Sequence, residues 1–138
     1  MPMNELNADV PLPDGPEAPS IARTALRSVL QGWAFTDRDW LYDATLVVSE
    51  LVSNAVRHGR GGARLRVHAV GDQVRLGVAD NSAQLPRRRH DDEPAESGWG
   101  ITFVDAFSAG WQAEVKGNGK DVWVRLATYP GSDLSPPA

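Results

Sequence analysis

The sequence predicts an α+β domain, a two-layer sandwich with helices on one side of an antiparallel sheet. Three observations predict it. Two segments in the first half, residues 21–32 and 36–59, carry apolar residues at helical spacing. Four later segments alternate apolar and polar residues, as half-buried strands do. Glycines stand at hairpin positions within each pair of these segments, at Gly71 with Asp72 and again from Gly117 to Gly119.

Residues 1–17 hold four prolines and little periodicity, so they read as a flexible tail or at most a short edge strand over residues 6–12. Ser20 is the expected cap of a first helix that stops near Gly32. Thr36 is the expected cap of a second, ending at Gly59, which suits the left-handed position past a helix end. After the GRGG turn, ARLRVHAVG and QVRLGVADN form one hairpin. Residues 82–97 combine prolines, charges and few apolar side chains, the composition of a long functional loop or lid. GWGITFVDAFSAG reads as a glycine-rich turn entering a short helix, and WQAEVKG with KDVWVRLATY as a second hairpin. The expected domain is residues 18–129, with a disordered tail over residues 130–138.

With 138 residues and 41% hydrophobic content, one core is the natural expectation. The absence of cysteine excludes disulfides, thiol catalysis and thiolate metal sites, and three scattered histidines give no zinc spacing. Any metal should be a hard cation bound by oxygen. A formal charge of -4 argues against nonspecific nucleic-acid binding. The RRRH run at residues 87–90 is cancelled by the DDE that follows and reads as a solvated loop. No apolar run has membrane-spanning length and no secretory pattern opens the chain, so the expected location is cytoplasmic, without membrane contact.

The segment ELVSNAVRHG carries the most chemistry. At about 100° per residue, Trp40, Ala44, Val47, Val48, Leu51 and Ala55 share one helical face, bordered by Glu50 and Asn54. A carboxylate and a carboxamide at such a border are either solvated or face a cavity that holds water, a metal or a ligand. Glu50 can act as a base, and Asn54 can offer a neutral oxygen to a hard cation.

Three elements follow in order: ELVSNAVRHG on a helix, VADNS at a strand end, and SGWGI opening a helix after a long loop. Together they resemble the GHKL, or Bergerat-fold, ATPases, most closely the anti-sigma-factor serine/threonine kinases of actinobacterial type, over residues 20–127. The resemblance implies a Bergerat fold with a mixed, mainly antiparallel sheet, and ATP with magnesium (Mg2+) as cofactors. Glu50, Asn54, Ala55 and His58 match the family's E-x-x-x-N helix motif, which makes Glu50 the general base and Asn54 the magnesium ligand. His58 is either part of the ATP site or a residue stabilised by the helix dipole. Asp80 matches the aspartate that accepts a hydrogen bond from the adenine amine. The usual D-x-G-x-G is replaced here by Asp80, Asn81, Ser82, Ala83 and Gln84, a departure toward the form with Ser82, Leu85 and Pro86. Gly98, Trp99, Gly100 and Ile101 resemble the phosphate-contacting box, where glycines let backbone N–H groups approach an anion. Trp99 stands where a basic or small residue is usual, to pack on the ribose or to cover the lid. Lys120 resembles the final GK or GT motif, either as a phosphate contact or as an exposed hairpin lysine. Arg23 matches a partner-facing arginine on the first helix, or is simply solvated. Trp33, Trp111 and Trp123 are expected in core or rim packing. The implied partners are a protein antagonist, a sigma factor and a second copy of the chain. The other function class compatible with the lost glycines is a binding module without chemistry.

Overall fold

The computed structural model describes residues 5–58, 62–81, 104 and 108–130. Among these, the element order is β1 (Glu5–Pro11), α1 (Ala18–Gly32), α2 (Arg38–His58), β2 (Arg64–Val70), β3 (Gln73–Asp80), β4 (Ser108–Lys116) and β5 (Gly119–Leu126). The sheet order is β1-β2-β3-β5-β4. Every described pairing is antiparallel, in keeping with the mainly antiparallel sheet that the resemblance implies. The architecture is the α+β sandwich expected from the periodicities.

The pleat assigns each strand residue to a face. Leu65, Val67 and Ala69 of β2, Val74, Leu76 and Val78 of β3, and Val122, Val124 and Leu126 of β5 are all buried. They form one core with Ala22, Leu26 and Leu30 of α1 and Leu41, Ala44, Val47, Val48, Leu51 and Val52 of α2. Each fully buried leucine or valine contributes about 1.5–3 kcal/mol relative to exposure. That sum, set against chain entropy, is what holds the helices on the sheet.

Both helix starts differ from expectation. Helix α1 begins at Ala18, with Glu17 as its cap residue and Pro19 in the first turn, where a missing N–H costs nothing. Ser20 therefore lies inside the helix. At α2 the cap is Asp37, whose Oδ1 accepts the Trp40 N–H at 2.9 Å. The Thr36 N–H is instead held by the Tyr129 hydroxyl oxygen at 2.8 Å. That oxygen also accepts the Asp37 N–H at 2.9 Å, so a residue beyond β5 secures the entry to α2. Phe35, Trp40 and Tyr129 pack around this contact with ring centroids 5.0–5.6 Å apart.

Helix α1 stops at a two-bond C-cap: the Ala34 N–H reaches Gln31 O and the Phe35 N–H reaches Leu30 O. The helix ends at Gly32, as expected, and the left-handed residue beyond it is Ala34, at φ 71°. Gly59, the expected end of α2, lies outside the described residues. The hairpin turns at Gly71 and Gly117 have φ 59° and 61°, which glycine adopts without strain.

Residues 5–11 are not a tail but an edge strand. β1 pairs with β2 from Glu5↔Val70 to Pro11↔Arg64. His68 Nε2 lies 2.8 Å from Glu5 Oε1 across this pair, and that hydrogen bond, with the one to Asn7, holds the Glu5 carboxyl below its usual range.

Candidate nucleotide site

Asn54 and Glu50 sit one turn apart in the second half of α2. Asn54 is buried at 4% exposure, and Glu50 is half-buried with its Oε1 shielded from solvent. The apolar stripe of α2 faces α1 and the sheet, so these polar groups at its border are drawn inward with it. Helix α2 ends six residues before β2 begins, which limits the span to roughly 20 Å for an extended chain. The start of β2 pairs with the end of β3, Arg64 opposite Ala79, and the end of β3 pairs with the start of β5. One end of the sheet thus collects the start of β2, the end of β3 and the start of β5.

Asp80 is the last residue of β3 and has the parity of Val74, Leu76 and Val78, so its carboxylate points to the helix side. Lys120 has the parity of Val122, Val124 and Leu126 and points the same way. The two are directly paired across the strands. Lys120 Nζ donates to Asp80 Oδ1 at 3.0 Å and lies 2.8 Å from Oδ2. The lysine side chain is 0% exposed and the aspartate side chain 4%. Lys120 is therefore neither an exposed hairpin lysine nor turned away from the sheet end; it is sealed against Asp80.

Gly119 makes this contact sterically available. A Cβ at Gly119 would lie 2.4 Å from the Asp80 carbonyl oxygen, so any side chain there would push β5 off β3. Gly119 and Lys120 act together, the first by close approach and the second by charge.

Arg23 is exposed on α1, and its Nη1 donates to Ser49 Oγ of α2 at 2.8 Å. It lies on the surface shared by the two helices and also ties them together. The backbone of His58 closes α2. Its side chain, and Ser82, Gly98, Trp99, Gly100, Ile101 and the lid over residues 82–97, lie outside the described residues. Trp33 and Trp111 pack partly buried against the core. Trp123 does not: it lies on the sheet face away from the helices, with the Arg75 and Arg66 guanidiniums 5.3 and 5.9 Å from its ring.

The donor set fits magnesium in kind. The Asn54 amide oxygen is neutral and hard, and magnesium needs few protein oxygens when phosphate and water complete its shell. Among the described residues no group of three or more His, Asp or Glu could hold a metal alone. Asp80 fits an adenine amine in kind, because a carboxylate accepts and cannot donate. Both of its oxygens nevertheless face the Lys120 ammonium.

Glu50 and Asn54 on α2, and Asp80 with Lys120 on the sheet, are the buried or half-buried polar groups of this α+β sandwich that the sequence singles out. The chain belongs to the histidine kinase-like ATPase domain family, whose model matches residues 12–126. Among solved structures, it is similar to the RsbU and RsbW domains of Rv1364c from Mycobacterium tuberculosis, at TM-score 0.68 and 21% identity, covering 89% of this chain and 32% of that one. This chain therefore spans about a third of that protein. It is also similar to the SiaB–SiaC complex from Pseudomonas aeruginosa, at TM-score 0.62 and 13% identity, covering 86% of this chain and 88% of that one. No curated protein matches the sequence. Among the described residues no helix is long and apolar enough to cross a membrane.

The Asp80–Lys120 pair is what sequence reasoning missed. Strand parity carried the signal, since Lys120 continues the buried alternation Val122, Val124, Leu126 backwards by two.

Proposed function

We propose that this protein is an ATP- and magnesium-dependent regulator of the anti-sigma-factor kinase type, which phosphorylates a serine or threonine of an antagonist protein and sequesters a sigma factor. The observation that carries this reading is the inward placement of Glu50 and Asn54 on one turn of α2, in a chain of the ATPase family. Glu50 accepts the proton of the partner's hydroxyl, and Asn54 holds the magnesium ion. Bound ATP with magnesium supplies the phosphoryl group, and such transfer asks of the protein mostly positioning and charge neutralisation. Asp80 receives the adenine amine, and Ser82, Gly98, Trp99, Gly100 and Ile101 complete the nucleotide contacts, with His58 at their margin. Arg23, exposed on α1, faces the protein partner. The SiaB neighbour is seen in a complex with SiaC, which supports a protein as the partner.

A second reading, a nucleotide-gated or nucleotide-free binding module, is favoured by one observation: the acceptor at Asp80 is already engaged by Lys120. Calorimetric titration of ATP with and without magnesium separates the two. The kinase reading expects magnesium to strengthen binding and Asn54→Ala to remove that gain. It also expects Glu50→Gln to keep affinity within a few-fold while phosphotransfer to the captured partner falls by roughly 10²–10⁴. No ATP binding at any magnesium concentration would leave the nucleotide-free binding module, and ATP binding without phosphotransfer the nucleotide-gated one.

A further inference from the structure

The chain has twelve arginines and only two lysines, Lys116 and Lys120. The exposed lysine side chain is 60% accessible, whereas the Lys120 side chain is 0% accessible and rests on both oxygens of Asp80. A buried cation in an arginine-rich protein is usually the planar, weakly hydrated guanidinium. Here it is the compact ammonium on a flexible four-carbon stem, the group better suited to moving. We propose that Lys120 is an internal latch: its ammonium occupies the Asp80 carboxylate in place of an adenine amine, and nucleotide enters only when the lysine swings away. This inference rests on the reading of Asp80 as the adenine acceptor.

The physical case has three parts. The Lys120 ammonium lies on both oxygens of the Asp80 carboxylate, and both side chains are sealed from solvent. A neutral amine is a weaker partner for a buried carboxylate than an ammonium, because it brings no opposite charge to offset the carboxylate's lost water. Gly119 lets β5 approach the Asp80 backbone closely, which sets the root of the lysine stem beside the acceptor while leaving its far end free to turn. Two states follow, one with the pair closed and one with the carboxylate open to a base. The apparent nucleotide affinity is the intrinsic affinity reduced by the open fraction.

Two measurements on the full chain test the latch. In the first, amine acylation of the unaltered protein is mapped by mass spectrometry, with Lys116 as the internal standard. Lys120 should resist modification in the absence of nucleotide and become reactive with saturating ATP and magnesium. In the second, Lys120→Thr, which shortens the side chain but leaves a hydroxyl able to donate to Asp80, should bind ATP about tenfold tighter or more. Lys120 reacting as fast as Lys116 without nucleotide would overturn the latch. So would continued protection of Lys120 when calorimetry shows ATP bound, or a Lys120→Thr affinity no better than that of the unaltered protein. If Lys120→Thr does not fold, the acylation result decides. If the unaltered protein binds ATP with Lys120 still protected, only the latch falls; if neither form binds ATP, the latch and the nucleotide reading fall together.

Discussion

Lys120 and Asp121 are neighbours in β5, yet the pleat sends them to opposite faces of the sheet, and each enters an ion pair of a different kind. On the helix side, Lys120 meets Asp80 with side-chain exposures of 0% and 4%. On the open side, Asp121 meets Lys116 at 2.9 Å and Arg66 at 3.7 Å, and those two cations are 60% and 39% exposed. The charges are alike and the consequences are not. Water and salt screen the two outer cations, so either can be exchanged at little cost although the Asp121 side chain between them is only 10% exposed. The inner pair has lost its water, and each charge now depends on the other.

The inner pair therefore gives the largest expected effect. Lys120→Met should take the opposite charge away from the buried Asp80 carboxylate and cost about 3–5 kcal/mol in urea unfolding. Adding Asp80→Asn to that variant should recover much of the loss, because the buried charge is gone. A Lys120→Met loss no larger than that of a surface lysine would mean that water reaches the pair, and the contrast between the two faces would collapse.

Gly119→Ala should come next. The added methyl meets the Asp80 carbonyl oxygen at 2.4 Å, and backbone cannot turn aside as a side chain can. The strands must separate, at a cost of about 1–3 kcal/mol by thermal unfolding. In the same variant Lys120 should become open to amine acylation, since the shift moves it off Asp80.

How much of this was legible in the sequence varies with the kind of information each element needs. The strands and both hairpins are written locally, as alternation and turn glycines, and they appear close to where the pattern places them. Asn54 and Glu50 could be placed at the border of a helical face by counting residues. The helix starts could not be read as well, because Asp37 and Thr36 are both good caps and the choice is made by Tyr129, more than ninety residues away. The N-terminal strand was only half legible: Glu5–Pro11 contains a proline and few apolar residues, and becomes a strand because β2 offers it an edge. The faces that Trp123 and Lys120 take were not legible, for one shared reason. Parity says which face a strand residue takes only after the covered face is known, and that depends on where the helices pack.

The open face supplies a milder counterpart to Gly119. A Cβ at Gly77 would come within 2.8 Å of Trp123 ring carbons. Here the obstacle is an indole that can tilt away from the sheet, loosening its contacts with Arg66 and Arg75. Gly77→Ala should cost about 0.5–1 kcal/mol, the worth of an exposed cation–π contact. A cost equal to that of Gly119→Ala would show that the open face is packed as rigidly as the covered one.

The smallest expected effect lies at Lys116, the outer lysine. Its hydrogen bond to Asp121, then the charges of Asp121 and Glu114, raise its pKa above the ordinary lysine value. A raised pKa means that the folded state holds this proton more tightly than the unfolded chain does. The stabilisation is complete below the unfolded lysine value, about 10.4, and is lost as pH climbs through the higher folded value. Lys116→Ala should therefore lower the unfolding midpoint slightly at neutral pH and low salt. The difference should shrink in concentrated salt, which screens exposed charges, and disappear in strongly alkaline solution, where the unaltered lysine has lost its charge as well. Lys120→Met should keep most of its effect in the same salt, since ions do not enter the sealed pair. Equal salt sensitivity of the two variants would mean that the pairs share one environment, and that Lys120 is not sealed against Asp80.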